Sequence, residues 1–240
     1  MLSNTSDLNL KLKVDGYVKV PLPNIIPKLK IIKKDVFNTF SFISEKNNGP
    51  IIINDKDIID FHFRNKKLQY KTIKLLQYCS SIISLSGDKI FLNLLKKIGF
   101  IYPHLEIFPN FRCDMIIKDQ SLFKSHQDYS FNKGSKNSIT FWIPLQDTSI
   151  NEGALKIVPG THKLGLLKNK RGILKSSELF NFISCPVDFG EVLIFNQKLV
   201  HKSAHNKSNN IRFSDLGCKE YQSKSYNINH TLIIKSFKKK

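Results

Sequence analysis

The sequence predicts an α+β fold that is mainly β in its second half, with a jelly-roll core and N-terminal helices packed on it. Three observations predict it. Through the first hundred residues apolar side chains recur near helical spacing. After Pro109 the texture changes to short apolar-rich runs separated by turn residues, the pattern of a β-sandwich or barrel. Neither an internal repeat nor a low-complexity linker divides the two halves. Residues 1–240 therefore read as one domain, with a mainly helical layer over 1–105, the β-core over 106–225 and a basic tail over 226–240.

The elements follow in order. Gly16-Tyr-Val-Lys-Val-Pro21 reads as a short strand closed by proline, and two Pro-flanked segments come next. Residues 68–85 carry Leu68, Ile73, Leu75, Leu76, Cys79, Ile82 and Ile83 near helical spacing, which predicts one helix. Residues 88–99 predict another, with Ile90, Phe91, Leu94, Leu95 and Ile98 on one side and Gly99 as its stop. In the second half, strands are predicted over 111–118, 138–145, 154–158, 182–187, 191–195 and 211–216. Asn151-Glu152-Gly153 and Pro159-Gly160 mark tight turns, the first with a glycine free to take positive φ.

Composition narrows the function classes. A chain of 240 residues can bury a substantial core, and its apolar runs are too short to span a bilayer. The N-terminal stretch has no basic start or apolar core of a secretory signal. Its four cysteines, Cys79, Cys113, Cys185 and Cys218, are scattered and read as reduced thiols of a cytoplasmic protein. Net charge is +19, an excess built from lysine spread along the chain together with heavy use of Ile and Asn. That combination reflects the coding bias of an AT-rich genome. Without a basic stripe interleaved with aromatics it argues against a dedicated nucleic-acid partner. A small-molecule substrate, an anionic one included, is the expected partner.

One constellation carries chemistry: His126-Gln127-Asp128, then His201, then Arg212. In an extended strand successive side chains alternate faces, so His126 and Asp128 project together with Gln127 opposite. Two ligands on one strand and a distant histidine can cap one face of an octahedral metal. This is the 2-His-1-carboxylate arrangement of non-haem Fe(II). Arg212 adds a second signal, because only four of the 38 basic residues are arginines. A guanidinium is favoured where a planar fork must bind a carboxylate through two hydrogen bonds. Arg212 follows His201 by eleven positions, across a loop-forming stretch from Ser203 to Asn210, so an antiparallel return strand could bring it beside the metal.

The segment from Trp142 to Gly165, W-I-P-L-Q-D-T-S-I-N-E-G-A-L-K-I-V-P-G-T-H-K-L-G, closely resembles the phytanoyl-CoA dioxygenase family. A strand ending W-x-x-L-x-D leads through N-G-x-L or its equivalent to a P-G-S/T-H-K turn; the upstream H-Q-D, the downstream histidine and the arginine also match. The resemblance covers about residues 111–221. It implies a double-stranded β-helix, the cupin-like jelly roll, and an Fe(II)- and 2-oxoglutarate-dependent dioxygenase. Such an enzyme uses O2 to hydroxylate a small molecule, releasing succinate and CO2. It also implies that His126, Asp128 and His201 are the iron ligands and that Arg212 pairs with the distal carboxylate of 2-oxoglutarate. Ser203 matches a hydroxyl position near that arginine. Gln127, Lys118 and Trp142 match positions lining or supporting the site. His162 and His205, the rival histidines, read as loop residues. The family often places Pro-Gly before H-Q-D, whereas this chain reads Lys118-Asp-Gln-Ser-Leu-Phe-Lys-Ser125, which puts the geometry of that turn in question. Aspartate at 128, rather than Ala or Gly, argues against a halogenase. Substrate walls are expected from the N-terminal helices and the loop over 129–137, with Tyr129, Phe131 and Lys133. Two other classes compete: a non-catalytic jelly-roll binding protein, which an intact triad with Arg212 disfavours, and a nucleic-acid-modifying oxygenase, suggested by charge alone.

Overall fold

The computed structural model describes residues 5–100, 103–105, 110–116, 123–131 and 138–221, with backbone alone at 5–6, 104–105 and 215–221. Lys118 and Lys133, together with the expected basic tail, lie outside the described residues. Six helices occupy the first hundred residues: α1 (Thr5–Val14), α2 (Ile26–Glu45), α3 (Asp55–Arg64), α4 (Lys66–Leu76), α5 (Ser80–Ser86) and α6 (Lys89–Ile98).

Local chemistry sets their ends. Asn54 and Asp57 form a reciprocal capping box at the start of α3. Asp88 caps α6 by accepting from the Ile90 amide at 2.9 Å, and Gly99 closes that helix in the left-handed region at φ 99°. The single helix expected over 68–85 is two. Thr72 and Leu76 are buried in α4, but Ile82 and Leu85 are the buried positions of α5, while Leu75 and Ile83 are exposed. The buried stripe changes phase, so the chain must break between the two helices to keep both stripes on the core. The 20-residue α2 is not among the helices expected, although Leu29, Ile32, Val36 and Phe40 bury one face at spacings of three and four.

The strands are β1 (Tyr17–Pro21), β2 (His104–Leu105), β3 (Asn110–Asp114), β4 (Ser138–Pro144), β5 (Leu155–Val158), β6 (Asn169–Lys170), β7 (Ile173–Leu174), β8 (Ile183–Cys185), β9 (Glu191–Asn196), β10 (Val200–Lys202) and β11 (Arg212–Tyr221). They form two layers. The larger antiparallel sheet runs β1-β9-β4-β11-β2, with β3 also paired to β11. The smaller runs β10-β5-β8 and includes the β6-β7 hairpin.

Both faces of the larger sheet are covered, so its strands do not alternate apolar with polar; they alternate between two cores. Phe141, Ile143, Val192, Ile194 and Phe213 face the helices and pack with Leu29, Ile32, Val36 and Phe40. Trp142, Leu193 and Phe195 face the smaller sheet and pack with Leu155, Ile157, Val187 and Leu199. The α+β jelly roll with a helical layer is the fold seen. The same alternation places Arg212 and Ser214, on either side of Phe213, on the face turned toward the smaller sheet.

The turn before β5 depends on Gly153, which takes φ 80°. A Cβ there would meet the backbone of 204–206 at 2.8–2.9 Å. Gly153→Ala should therefore destabilise the protein by roughly 1–3 kcal/mol, from forced positive φ plus a displaced loop. Denaturant unfolding of the variant beside the parent protein checks this.

Candidate metal centre

His126 and His201 lie opposite each other as a closely bonded antiparallel pair. The His126 amide donates to the His201 carbonyl at 3.0 Å and the His201 amide returns the bond at 3.1 Å. Directly opposed residues share a face, so backbone pairing alone sets the two imidazoles side by side, with ring centroids 4.2 Å apart. His126 also bridges Ile173, so this short segment joins the smaller sheet between β7 and β10.

The expectation that His126 and Asp128 share a strand needs correction. His126 is a single bridge residue and Asp128 opens a 3-10 turn, Asp128–Ser130. Gln127 between them is extended (φ −120°, ψ 128°), and that one residue is enough to return Asp128 to the side of His126.

The result is a buried cluster in which ligand atoms of His126, Asp128 and His201 all lie within 4.8 Å of one another. Asp128 Oδ1 stands 3.3 Å from His126 Nε2 and 3.5 Å from His201 Nε2. Ligands held at roughly 2.0–2.2 Å and at right angles around a divalent ion stand about 3 Å apart, close to this spacing.

Tautomers are set from behind. Each Nδ1–H donates to a backbone carbonyl, His126 to Lys124 at 2.7 Å and His201 to Leu199 at 2.9 Å. That leaves a lone pair on each Nε2, the atoms that face Asp128. Burial, and then the adjacent His201, hold His126 below the ordinary histidine value against the opposing pull of Asp128. Two imidazole Nε2 atoms and a carboxylate thus converge on one point in a buried setting, an arrangement that a cation satisfies. The residues fit a divalent metal.

Thr140 completes the support. It projects from β4 on the same side as Trp142 and donates its hydroxyl to Asp128 Oδ2 at 2.7 Å, turning Oδ1 toward the imidazoles. Sequence reasoning missed it. The signal was a hydroxyl inside the apolar run over 139–144, in phase with Trp142. Thr140→Val keeps the shape and removes the donor, so metal affinity should fall about 10–100-fold with the fold retained. Titration with Fe(II) under anaerobic conditions measures that change.

The cluster opens on a cavity of about 280 Å³, bounded also by Arg112, Phe123, Phe131, Leu155 and Ser203. Phe123 and Phe131 pack about the His126 ring at 4.5 and 5.6 Å between centroids, and Phe195 backs His201 at 4.7 Å. A larger apolar cavity of about 390 Å³ between residues 21–24 and α6 carries none of this chemistry.

The other expected site residues divide. Ser203 and Phe131 line the cavity. Tyr129 does not; the Lys198 ammonium lies over its ring at 4.9 Å. Gln127, expected to line or support the site, supports it. Its side chain is fully buried away from the ligands, donating to the Gly165 and Lys198 carbonyls at 2.8 and 2.6 Å and accepting from the Leu167 amide at 2.9 Å. It ties the loops that frame the site. Trp142 likewise supports rather than lines, as part of the apolar core between the sheets. His162 packs its ring against Gly16 and bonds the Lys13 carbonyl at 3.1 Å, and His205 is exposed; neither joins the cluster.

Arg212 departs furthest from expectation. It is 1 % exposed, and its guanidinium donates to Asp114 and to the Gly153 carbonyl rather than lining the cavity. The cause is register: Arg212 pairs directly with Asp114 of β3, so the carboxylate sits beside it on the same face. Burial raises the affinity of Asp114 for a proton, but Arg212 and then Arg112 outweigh it and hold the carboxyl below the usual aspartate value. Arg112 binds the same carboxylate, Nη2 to Oδ1 at 3.0 Å, and is the arginine that reaches the cavity.

Fold and site together define a jelly-roll protein with a buried His-Asp-His metal centre. A family model described as phytanoyl-CoA dioxygenase matches residues 113–214, the stretch holding all three ligands. The match falls on the stretch whose motifs resemble that family. A phytanoyl-CoA dioxygenase of Arabidopsis thaliana is 29% identical over 121 residues, which span 42% of this chain and 43% of that protein. Dioxygenase lolE1 of Epichloe uncinata is 27% identical over 164 residues, 63% of this chain and 59% of that one. The chain thus spans about half the length of these two relatives. Among solved structures, the non-heme monooxygenase ThoJ in its apo form superposes with a TM-score of 0.68 at 16% identity, covering 91% of this chain and 78% of that one. The epimerase SnoN in complex with Fe3+, alpha ketoglutarate and nogalamycin RO gives 0.66 at 14%, covering 91% and 84%. These likenesses establish a shared fold.

Proposed function

We propose that this chain is an Fe(II)- and 2-oxoglutarate-dependent dioxygenase that hydroxylates a small molecule. The observation that carries the reading is the convergence of two Nε2 lone pairs and Asp128 Oδ1, each oriented by a second hydrogen bond. His126, Asp128 and His201 would hold the ion on one face. A bound ferrous ion supplies O2 activation coupled to oxidative decarboxylation of 2-oxoglutarate, with succinate and CO2 as products. The protein's share is positioning and exclusion of water. Phe123, Phe131 and Phe195 shield the imidazoles, and the Ser203 hydroxyl lines the chamber. Two arginines about one carboxylate, Arg112 and Arg212 on Asp114, leave a positive charge that favours an anionic co-substrate. No side-chain general base is required.

Resemblance of the core to a dioxygenase family supports the reaction class, and the epimerase of the same fold, solved with nogalamycin RO, supports a small-molecule substrate. No helix among the described residues is long and apolar enough to cross a membrane. The test is O2-dependent succinate release. Protein reconstituted with Fe(II) should convert 2-oxoglutarate to succinate slowly on its own and faster with substrate, and His201→Ala should not. Equal succinate from the parent protein and from His201→Ala would reject the assignment.

A further inference from the structure

The cavity contains a cation that the metal centre does not use. Arg112 on β3 extends along the inner face and joins the triad in lining the chamber. Its orientation is fixed on two sides. Asp114 accepts from Nη2 at 3.0 Å and from Nε at 3.4 Å, and the guanidinium carbon lies 5.7 Å from the centre of the Phe123 ring. Asp114 is itself held by Arg212, so Arg112 is anchored to a carboxylate that is 1 % exposed. Two arginines share that one carboxylate, which leaves a net positive charge at the chamber wall. Nη1 of Arg112 has no protein partner among the described residues, while the side chain remains 22% exposed. A pre-oriented guanidinium with an open edge beside aromatic walls is built to receive a carboxylate on an apolar body.

We infer that Arg112 is a carboxylate-binding residue of this chamber, holding an anionic group while Phe111, Phe123 and Phe131 contact the apolar part of its bearer. The inference rests on the cavity being the reaction chamber. The carboxylate has two possible sources, the distal end of 2-oxoglutarate or an acidic group on the substrate. Arg212, sealed behind Asp114, then acts by fixing Asp114 in place.

Calorimetry of the full chain separates these possibilities, using 2-oxoglutarate, 2-oxobutyrate, which lacks the distal carboxylate, and phenylacetate, one carboxylate on a flat apolar body. Each is titrated into Fe(II)-loaded protein without O2, phenylacetate with the co-substrate present, and phenylacetate also into metal-free protein. Arg112→Ala should weaken at least one carboxylate by about tenfold or more, with Fe(II) affinity unchanged. Arg112→Lys, which keeps the charge beside Asp114, should lose less and serves if the alanine variant misfolds. A loss for 2-oxoglutarate and not for 2-oxobutyrate assigns the site to the co-substrate. A loss confined to phenylacetate assigns it to the substrate. If neither 2-oxoglutarate nor phenylacetate distinguishes the variants from the parent protein, the inference is overturned. The metal-free titration keeps that outcome separate from the oxygenase reading, which fails instead if the parent protein takes up no Fe(II).

Discussion

Asp128→Ala should lower Fe(II) affinity at least about 100-fold and abolish succinate release, because it removes the one charged ligand of the centre. Its effect on the metal-free fold should be moderate, about 1–3 kcal/mol, because the buried Thr140 hydroxyl loses its acceptor. Without an ion, Asp128 Oδ1 faces two Nε2 atoms whose tautomers present lone pairs, so the carboxylate is not a strong stabiliser there. The sharper readout is therefore linkage. Metal at a hundred times its dissociation constant should stabilise the parent protein by about 2.7 kcal/mol and leave the variant unmoved. Thermal melts with and without Fe(II) measure both. A variant that is still stabilised by the metal to the same degree would show that the ion binds elsewhere.

The largest stability effect belongs to Asp114. Asn at this position leaves Arg212, 1 % exposed, without its counter-charge. Breaking one partner of a buried pair costs roughly 3–5 kcal/mol, whereas replacing the pair by apolar groups is often near neutral. Asp114→Asn should therefore destabilise strongly, and Asp114→Leu with Arg212→Met should recover much of the loss. Denaturant unfolding of the single and double variants tests this as a cycle. The pH dependence has a definite sign. Since the folded carboxyl sits below its ordinary value of 3.8, its contribution is fully present above that value. It fades as pH falls through the lower folded value. The gap between the parent protein and Asp114→Asn should be constant near neutrality and should narrow only in strong acid.

These two residues show what was legible in the sequence. Asp128 was visible because alternation needs only one extended residue, Gln127, and survives the absence of a regular strand. The fold class was visible for a related reason: runs such as Glu191–Asn196 are short, apolar and flanked by turns. Asp114 was invisible. Its importance comes from register, Arg212 opposite Asp114 across β3 and β11, and register between segments about a hundred residues apart leaves no local trace. Register also decides what Arg212 meets in this structure. Scarcity of arginine correctly marks a carboxylate partner, but the partner in this structure is the protein's own. Arg112 carries an equal signal, another rare arginine two residues from an aspartate, yet it stands upstream of the His126–Arg212 constellation and so draws no attention from the motif. Gln127 shows the same alternation at work: the extended residue that unites His126 with Asp128 turns its own side chain away, into the loops that frame the site.

Under the proposed function three residues hold a ferrous ion, with positions left for 2-oxoglutarate. Mixing the protein with Fe(II) and 2-oxoglutarate under strict exclusion of O2 tests this most directly. The expected result is a visible metal-to-ligand charge-transfer band that requires both additions, disappears in His201→Ala and Asp128→Ala, and is lost on chelation. A parent protein that binds Fe(II) yet gives no band with 2-oxoglutarate, or a band that persists without His201, would contradict it.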